Sequence, residues 1–250
     1  MKKLKLRLSK TLYRIFPTFF FSEFSSLLLI SHMKPYVYID QWSMQPFNGQ
    51  IQRANQIRLI ANTLKPSICI ETGTYFGTST PHLASMVTRE TYTIEIDPQN
   101  FIKAKERLTK NFTMYDVRCI FGNSVSEMKR ILSDLNPNSE SILAYLDAHW
   151  LKEIPTKQEL ELLCEWGGKW VAIIDDFEVP HDTGYFYDSY QDNVINISQI
   201  PEGYNLKVYV PASPSQKESG ARRGTGYIFP NSVFETMNQE ILIGLKPYGA

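Results

Sequence analysis

The sequence predicts an open α/β fold, with a doubly wound, mostly parallel sheet that ends in an antiparallel hairpin. Three observations favour it. Short apolar runs alternate with segments of helical periodicity, the runs are apolar on both faces, and two β-type segments near the carboxyl terminus are joined by one loop. Strands that alternate with helices predict parallel pairing and right-handed crossovers. A length of 250 residues suits one such domain with additional segments.

The elements follow in a regular order. The predicted strands are 68–70, 91–97, 117–121, 141–147 and 169–176, and the predicted hairpin pairs 204–210 with 225–229. The predicted helices are 48–64, one that Pro81 begins, one from Pro98 through Leu108, 126–135, and one between Pro155 and Gly167. Proline favours the first turn of a helix, and glycine favours its end. We expect Thr78 or Ser79 to cap the second of these helices.

Residues 1–47 are predicted to be a separate amino-terminal segment and linker, and residues 48–250 the α/β domain. Basic residues precede the first acidic residue, Glu23, and lie opposite an apolar helical face that contains Leu4 and Leu8. This pattern is typical of a helix on an anionic membrane surface, so residues 1–16 are predicted to make peripheral membrane contact. The alternative is packing on the domain or on a second subunit in a homodimer.

A signal peptide and a spanning helix are not predicted, because Pro17 and Glu23 interrupt the apolar residues. The three cysteines lie within apolar patterns and lack metal-ligand spacing, which predicts buried reduced thiols and a cytoplasmic location. The 26 Lys and Arg residues balance 26 Asp and Glu residues. A nucleic-acid partner is therefore not predicted.

The stretch that follows the first strand predicts a cofactor site. It reads Glu71-Thr72-Gly73-Thr74-Tyr75-Phe76-Gly77-Thr78-Ser79, with the spacing Glu-x-Gly-x-x-x-Gly. A strand, a glycine turn and a helix start form a ligand cradle at the carboxyl edge of a sheet. The spacing differs from that of a dinucleotide loop, and a carboxylate beside the turn suits an ammonium group rather than a pyrophosphate. S-adenosylmethionine has an ammonium group and no phosphate.

This stretch resembles motif I of the class I S-adenosylmethionine-dependent methyltransferases, and especially the catechol O-methyltransferase type. The resemblance covers about residues 68 to 180. It implies a Rossmann-like methyltransferase sheet with a terminal antiparallel hairpin. It also implies that the cofactor lies against Glu71, Gly73, Tyr75, Gly77 and Ser79.

Two acidic residues at the end of the second strand are candidates for the cofactor ribose. Glu95 lies 22 residues after Gly73, and Asp97 is the rival two residues further on. The resemblance favours Glu95, and a solvated turn carboxylate is the alternative role for Asp97. By the same resemblance, Asn123 or Ser124 after the third strand binds the adenine, whereas an ordinary helix cap is the alternative.

Three carboxylates are predicted to meet at one edge of the sheet. Asp147 ends the fourth strand, and Asp175 and Asp176 end the fifth. Uncompensated carboxylates repel one another unless a cation joins them, and Mg²⁺ prefers oxygen ligands. The resemblance to catechol-type and metal-dependent sugar O-methyltransferases also implies this metal site, with Asp147 close to the cofactor. Alternatively, Asp147 orients the substrate and the acidic pair caps a turn.

The base is predicted near Asp147. The catechol type has a lysine three residues after the metal-binding aspartate, but Trp150 takes that position here. His149 or Lys152 could act instead, and His149 has the better intrinsic pKa. His181 and His82 are weaker candidates, and a structural role for His149 is the alternative.

These features predict a Mg²⁺-assisted O-methyltransferase that uses S-adenosylmethionine. The acceptor is a hydroxyl of a saccharide or glycolipid, or of a small phenol, and aromatic residues between Tyr185 and Tyr190 could stack on either. One alternative is a non-catalytic cofactor-binding or assembly module with the same fold. The other is a nicotinamide oxidoreductase, which the missing third glycine disfavours.

Overall fold

The computed structural model describes residues 45–149, 154–190, 193–237 and 239–250. Within these ranges the chain forms an eight-stranded mixed sheet with helices packed on it and a separate two-stranded sheet. The predicted α/β fold class is therefore confirmed. The predictions for residues 1–16 and for Lys152 lie outside the described residues.

The helices and strands have the following bounds. The helices are α1 (Ile51–Leu64), α2 (Thr80–Ala84), α3 (Pro98–Asn111), α4 (Ser124–Asp134), α5 (Thr156–Trp166) and α6 (Asn231–Phe234). The first five strands are β1 (Ile68–Thr72), β2 (Glu90–Glu95), β3 (Val117–Phe121), β4 (Ser141–Leu146) and β5 (Lys169–Asp175). The others are β6 (Ser189–Tyr190), β7 (Asn193–Val194), β8 (Leu206–Pro211), β9 (Thr225–Pro230) and β10 (Leu245–Pro247).

The strand order of the large sheet is β10-β8-β9-β5-β4-β1-β2-β3. Strands β1 to β5 pair in parallel, and the order reverses at β1, which lies between β4 and β2. Thr72 pairs with both Leu146 and Ile94, so the carboxyl ends of these three strands are level. In open α/β sheets this reversal forms a crevice in which ligands bind.

The predicted hairpin is present, because β8 pairs antiparallel with β9, and β9 pairs antiparallel with β5. Two further elements were not predicted. Strand β10 extends the sheet beyond β8, and β6 pairs with β7 in the small separate sheet. Both involve strands of two or three residues, which are too short to show a periodicity.

The starts of α1 and α2 differ from the predictions. Helix α1 begins at Ile51 rather than near Asn48, because Phe47 and Asn48 adopt left-handed backbone with φ of 52° and 56°. Ser79 makes no side-chain capping bond at α2. Its hydroxyl instead accepts a hydrogen bond of 3.0 Å from the Phe47 N–H. The predicted cap is therefore wrong for Ser79, whose side chain fastens the segment before α1.

The core lies on both faces of the sheet. Ile68 and Ile70 pack in one cluster with Met128 of α4, and Cys69 between them packs in the other cluster with Ile57 of α1. Burial of each large apolar side chain contributes about 1.5–3 kcal/mol. Both faces are buried, which explains why the strand sequences do not alternate with polar residues.

The three cysteines are free thiols. Cys69 is fully buried as predicted, whereas Cys119 and Cys164 are only half-buried, so the prediction of burial is wrong for these two. Among the helices of the described ranges, none combines the length and the hydropathy that crossing a bilayer requires.

Candidate active site

The glycine turn after β1 packs directly on the end of β4. Gly73 has φ of +77°, and a Cβ atom there would lie 2.1 Å from the carbonyl oxygen of Asp147. The sequence predicted that this glycine makes room for a ligand, but the space is taken by the protein backbone. Gly73 is therefore required for β1 and β4 to approach, and it brings the turn next to Asp147.

Glu71 lies beneath the turn and is 2% exposed. Its Oε2 accepts hydrogen bonds from the hydroxyls of Thr80, at 2.5 Å, and Thr93, at 2.7 Å. Burial raises the pKa of Glu71 to about 7, although the two hydroxyl bonds oppose the shift. A positive charge bound at the turn would favour the ionised form of this carboxyl group.

Glu95 and Asp97 have different roles at the end of β2. The Glu95 carboxylate accepts hydrogen bonds from the backbone N–H groups of Tyr75, at 2.6 Å, and Asp97, at 2.8 Å. It is thereby fixed beside the glycine turn and keeps lone pairs for further donors. The Asp97 carboxylate accepts from Gln99 N and Asn100 N and caps α3. This geometry supports Glu95 as the acidic residue that is free to accept ligand hydroxyls.

The end of β3 also carries a cap. Asn123 Oδ1 accepts from Val125 N and Ser126 N at the start of α4, which is the alternative role stated for it. Two apolar side chains at this edge are exposed, Ile96 by 60% and Phe121 by 53%. The sequence did not single them out, because each continues the apolar pattern of its strand.

Asp175 does not join the other two predicted metal ligands. Its carboxylate forms an ion pair with Arg53 of α1, inside the protein. Asp175 Oδ2 also accepts hydrogen bonds from the Tyr145 hydroxyl, at 2.8 Å, and from Asn48 Nδ2, at 3.2 Å. The Asp175 carboxylate is thus bound by three side-chain donors, so the geometry differs from the predicted ligand set at Asp175.

The third residue that lies with Asp147 and Asp176 is His149, and not Asp175 as predicted. His149 Nε2 lies 3.4 Å from Asp176 Oδ2 and 3.7 Å from Asp147 Oδ1. One potential ligand atom from each of these three residues lies within 4.8 Å of the others. Neither His82 nor His181 belongs to a group of this kind among the described residues. We call Asp147, His149 and Asp176 the acid–histidine group.

Asp176 is fixed in an uncommon conformation. Its φ is 55°, in the left-handed region, and its backbone N–H donates to Asp175 Oδ1 at 2.8 Å. Its Oδ1 accepts a hydrogen bond of 2.5 Å from Arg223 Nε. Arg223 in turn forms an ion pair with Asp188. Left-handed backbone at a residue other than glycine is often found at functional sites.

Two of the three predicted metal ligands are already paired with protein cations, Asp175 with Arg53 and Asp176 with Arg223. Burial disfavours the charged form of Asp176, but hydrogen bonds from His149 and Arg223 outweigh it and hold its pKa below the ordinary range. Burial raises the pKa of Asp147, and the charges of Asp175 and Asp176 raise it further. Burial alone would lower the pKa of His149, yet its bond to Asp176 raises it.

Three charged residues that interact with this group, Arg53, Arg223 and Glu159, could not have been found from motif spacing. Arg53 stands among apolar residues of a predicted helix, Arg223 lies in a loop that the sequence indicated to be mobile, and Glu159 occupies the first turn of α5. Glu159 is fully buried, and burial raises its pKa to about 7. The one available signal was Arg53 itself, since a charged residue at a core position of a helix indicates a buried partner.

Comparisons with known proteins identify the family and the fold. The model of the family described as Rhamnosyl O-methyltransferase/CmcI matches residues 34–176. No curated protein matches the sequence. The fold is similar to an O-methyltransferase from Bacillus cereus solved in complex with SAH, with 12% identity, a TM-score of 0.53, and coverage of 90% of this chain and 97% of that chain. The O-methyltransferase TomG from Streptomyces achromogenes, solved with SAM, is 14% identical, with a TM-score of 0.47 and coverage of 72% and 79%.

Proposed function

The chain belongs to the Rhamnosyl O-methyltransferase/CmcI family of S-adenosylmethionine-dependent O-methyltransferases, and from this premise we propose that it methylates a hydroxyl of a saccharide or glycolipid. The observation that carries the proposal is the contact between the glycine turn and Asp147. It brings the predicted cofactor turn within van der Waals distance of the acid–histidine group. The family description names a rhamnosyl acceptor, which supports a sugar over a small phenol.

The cofactor is proposed to lie across the ends of β1 and β2. S-adenosylmethionine supplies an electrophilic methyl group. The fixed Glu95 carboxylate would accept the ribose hydroxyls, and the exposed side chains of Ile96 and Phe121 offer apolar surface to a planar base. The residues proposed to bind the cofactor are Glu71, Gly73, Tyr75, Gly77, Glu95, Ser124 and Asp147. The predicted side chains of Ser79 and Asn123 are instead bonded to the Phe47 N–H and to the start of α4.

We assign the proton transfer to Asp147 and His149. Asp147 has the most exposed side chain of the acid–histidine group, at 33%, against 13% for Asp176 and 1% for His149. An acceptor hydroxyl would therefore donate its hydrogen bond to Asp147. His149 would take up the released proton at Nδ1, which has no hydrogen-bond partner among the described residues. Its Nε2–H already donates to Asp176, whose negative charge stabilises the resulting imidazolium. Lys152, the other predicted base, keeps that role only as an alternative.

The acid–histidine group fits a divalent cation in part. Two carboxylates suit Mg²⁺, but imidazole suits softer metals, and both oxygens of Asp176 already face cationic side chains. We propose that Asp147 and Asp176, and not Asp175, would hold Mg²⁺. The ion would make the acceptor hydroxyl more acidic.

Residues 1–16 are proposed to bring the protein to an anionic membrane surface, where a glycolipid acceptor would be found. The support is the basic and apolar pattern of the sequence alone. Deleting residues 1–14 should release the protein from phosphatidylglycerol vesicles without changing turnover of a soluble acceptor. Equal vesicle binding with and without these residues would remove the proposal.

Methyl transfer to defined acceptors tests the proposed function. The full chain would be incubated with methyl-labelled S-adenosylmethionine and either methyl α-L-rhamnopyranoside or catechol. We expect label in an O-methyl ether of the sugar. Label in catechol alone would move the acceptor to the phenols. Cofactor binding with no transfer to either would favour the non-catalytic module.

A further inference from the structure

We propose that the ring of Phe186 is a platform on which the pyranose ring of the acceptor stacks. The inference deepens the proposed function and rests on its saccharide acceptor. It comes from the segment 185–190, which follows β5 and which we call the wall. The wall lies beside the acid–histidine group, because its Tyr190 hydroxyl donates to the His149 carbonyl oxygen and its Asp188 pairs with Arg223.

The backbone of Phe186 is held in place by the segment that carries Arg223. The Phe186 N–H donates to the Arg222 carbonyl oxygen at 2.9 Å, and the Gly224 N–H donates to the Phe186 carbonyl oxygen at 2.7 Å. These bonds form a parallel bridge between Phe186 and Arg223. Residues paired in a β-bridge project to the same side, and Arg223 projects to Asp176. Phe186 therefore lies on the side of the acid–histidine group.

The alternation of side chains along residues 186–190 independently places Phe186 on the side of the acid–histidine group. Every second residue of an extended segment shares one face, so Phe186, Asp188 and Tyr190 lie together. Asp188 forms its ion pair with Arg223, and the Tyr190 hydroxyl lies 3.0 Å from the His149 carbonyl oxygen. Both contacts identify this face as the one that turns to the site. By the same alternation we assign Tyr187 to the opposite face.

Phe186 is the solvent-exposed residue of this face. Its side chain is 59% exposed, whereas Tyr185 beside it is 2% exposed. Among the described residues, no aromatic ring packs against the ring of Phe186. A large apolar ring on a fixed backbone thus stays uncovered next to the groups that would accept the proton.

A pyranose suits this surface. The apolar C–H face of the sugar can cover the Phe186 ring, while its hydroxyl rim meets the charged side chains of Arg223 and Asp188. The same stacking would orient one hydroxyl towards Asp147. The platform would therefore select the acceptor and not the cofactor.

Saturation-transfer NMR with methyl α-L-rhamnopyranoside tests the platform on the full chain saturated with S-adenosylhomocysteine. Phe186→Ala should weaken sugar binding about tenfold, and Phe186→Trp should retain it and keep saturation transfer to the ring protons of one sugar face. Tyr187→Ala is the matched control, because it removes a neighbouring exposed ring from the opposite face. It should bind the sugar as the unmodified chain does.

The outcomes separate the platform from the methyltransferase function. Equal sugar binding by Phe186→Ala, an equal loss in Tyr187→Ala, or no sugar binding by the unmodified chain would overturn the platform. Phe186-dependent binding of catechol but not of the sugar would also overturn it. Calorimetric binding of S-adenosylhomocysteine should be unchanged in every variant. Its absence in the unmodified chain would instead contradict the proposed function.

Discussion

The Arg53 guanidinium and the Asp175 carboxylate form an ion pair inside the protein, with 1% of each side chain exposed. Arg53 Nη2 also donates to the carbonyl oxygens of Arg223 and Gly224. Asp175 accepts the backbone N–H of Asp176. The pair therefore joins α1, β5 and the loop of Arg223, and it holds Asp176 in the conformation that points its carboxylate to His149.

Removal of Arg53 should be costly because it leaves a buried carboxylate unpaired. We expect Arg53→Met to lower the free energy of unfolding by about 3–5 kcal/mol. Urea unfolding at neutral pH measures the change. The control is Arg89→Met, which breaks the exposed pair with Glu140 and should cost about 1 kcal/mol or less. Equal losses of unfolding free energy in the two variants would contradict the conclusion that the buried Arg53–Asp175 pair stabilises the fold.

Glu159 should make stability depend on pH. Its pKa of about 7 in the folded chain lies above the value of 4.5 for an ordinary glutamate. The unfolded state then releases its proton first as pH rises, so the stability contribution of this group is complete below pH 4.5 and is lost up to about pH 7. A shift of this size corresponds to about 3 kcal/mol.

Glu159→Gln isolates that contribution, since an amide keeps the shape and does not ionise. Thermal unfolding at pH 5 and pH 8 should show a smaller difference in the variant than in the unmodified chain. The variant should gain most at pH 8. An identical pH dependence in the two proteins would show that Glu159 is not the group responsible.

Loss of the imidazole should lower turnover. His149→Ala is expected to lose about 10² to 10⁴ in kcat, the usual contribution of general acid–base catalysis. The unmodified chain should need a pH above the ordinary imidazole pKa for full activity, because Asp176 raises the pKa of His149 against the effect of burial. His181→Ala is the control and should leave the pH profile unchanged. Activity of His149→Ala near that of the unmodified chain would favour Lys152 as the base.

Cation binding should depend on Asp147 and Asp176. In Mn²⁺ titrations followed by electron paramagnetic resonance, Asp147→Asn and Asp176→Asn should each weaken binding at least about tenfold, because each loses a charged oxygen ligand. Asp134→Asn, at the end of α4, is the control with no expected effect. A chelator should also lower methyl transfer. Full activity in excess chelator would contradict assistance by a metal.

Much of the fold could be predicted because local signals agree with it. The buried strands β1, β4 and β5 are apolar on both faces, and Pro98 and Gly167 mark a helix start and a helix end. The start of α1 could not be predicted, because the left-handed backbone of Phe47 and Asn48 depends on contacts with distant residues.

The sequence predicts where the carboxylates of the site lie, but not which of them are already paired with protein cations. Parallel strands place Asp147 and Asp175 at one edge of the sheet, as the sequence indicated. Which carboxylates are already paired depends on Arg53 and Arg223, which approach from residues far away in the chain. Spacing along a sequence carries no information on such partners, so the role of His149 beside Asp176 emerged only from the structure.

Isothermal titration with S-adenosylmethionine tests the central claim, that the cofactor binds at the end of β2 through Glu95. The unmodified chain should bind one equivalent, and Glu95→Ala should weaken binding by about 1.5–3 kcal/mol, because a charge-assisted hydrogen-bond pair is lost. Asp97→Ala should lose its α3 cap, at about 1 kcal/mol of stability, and keep its cofactor affinity. No binding by the unmodified chain, or a larger loss of affinity in Asp97→Ala than in Glu95→Ala, would contradict the claim.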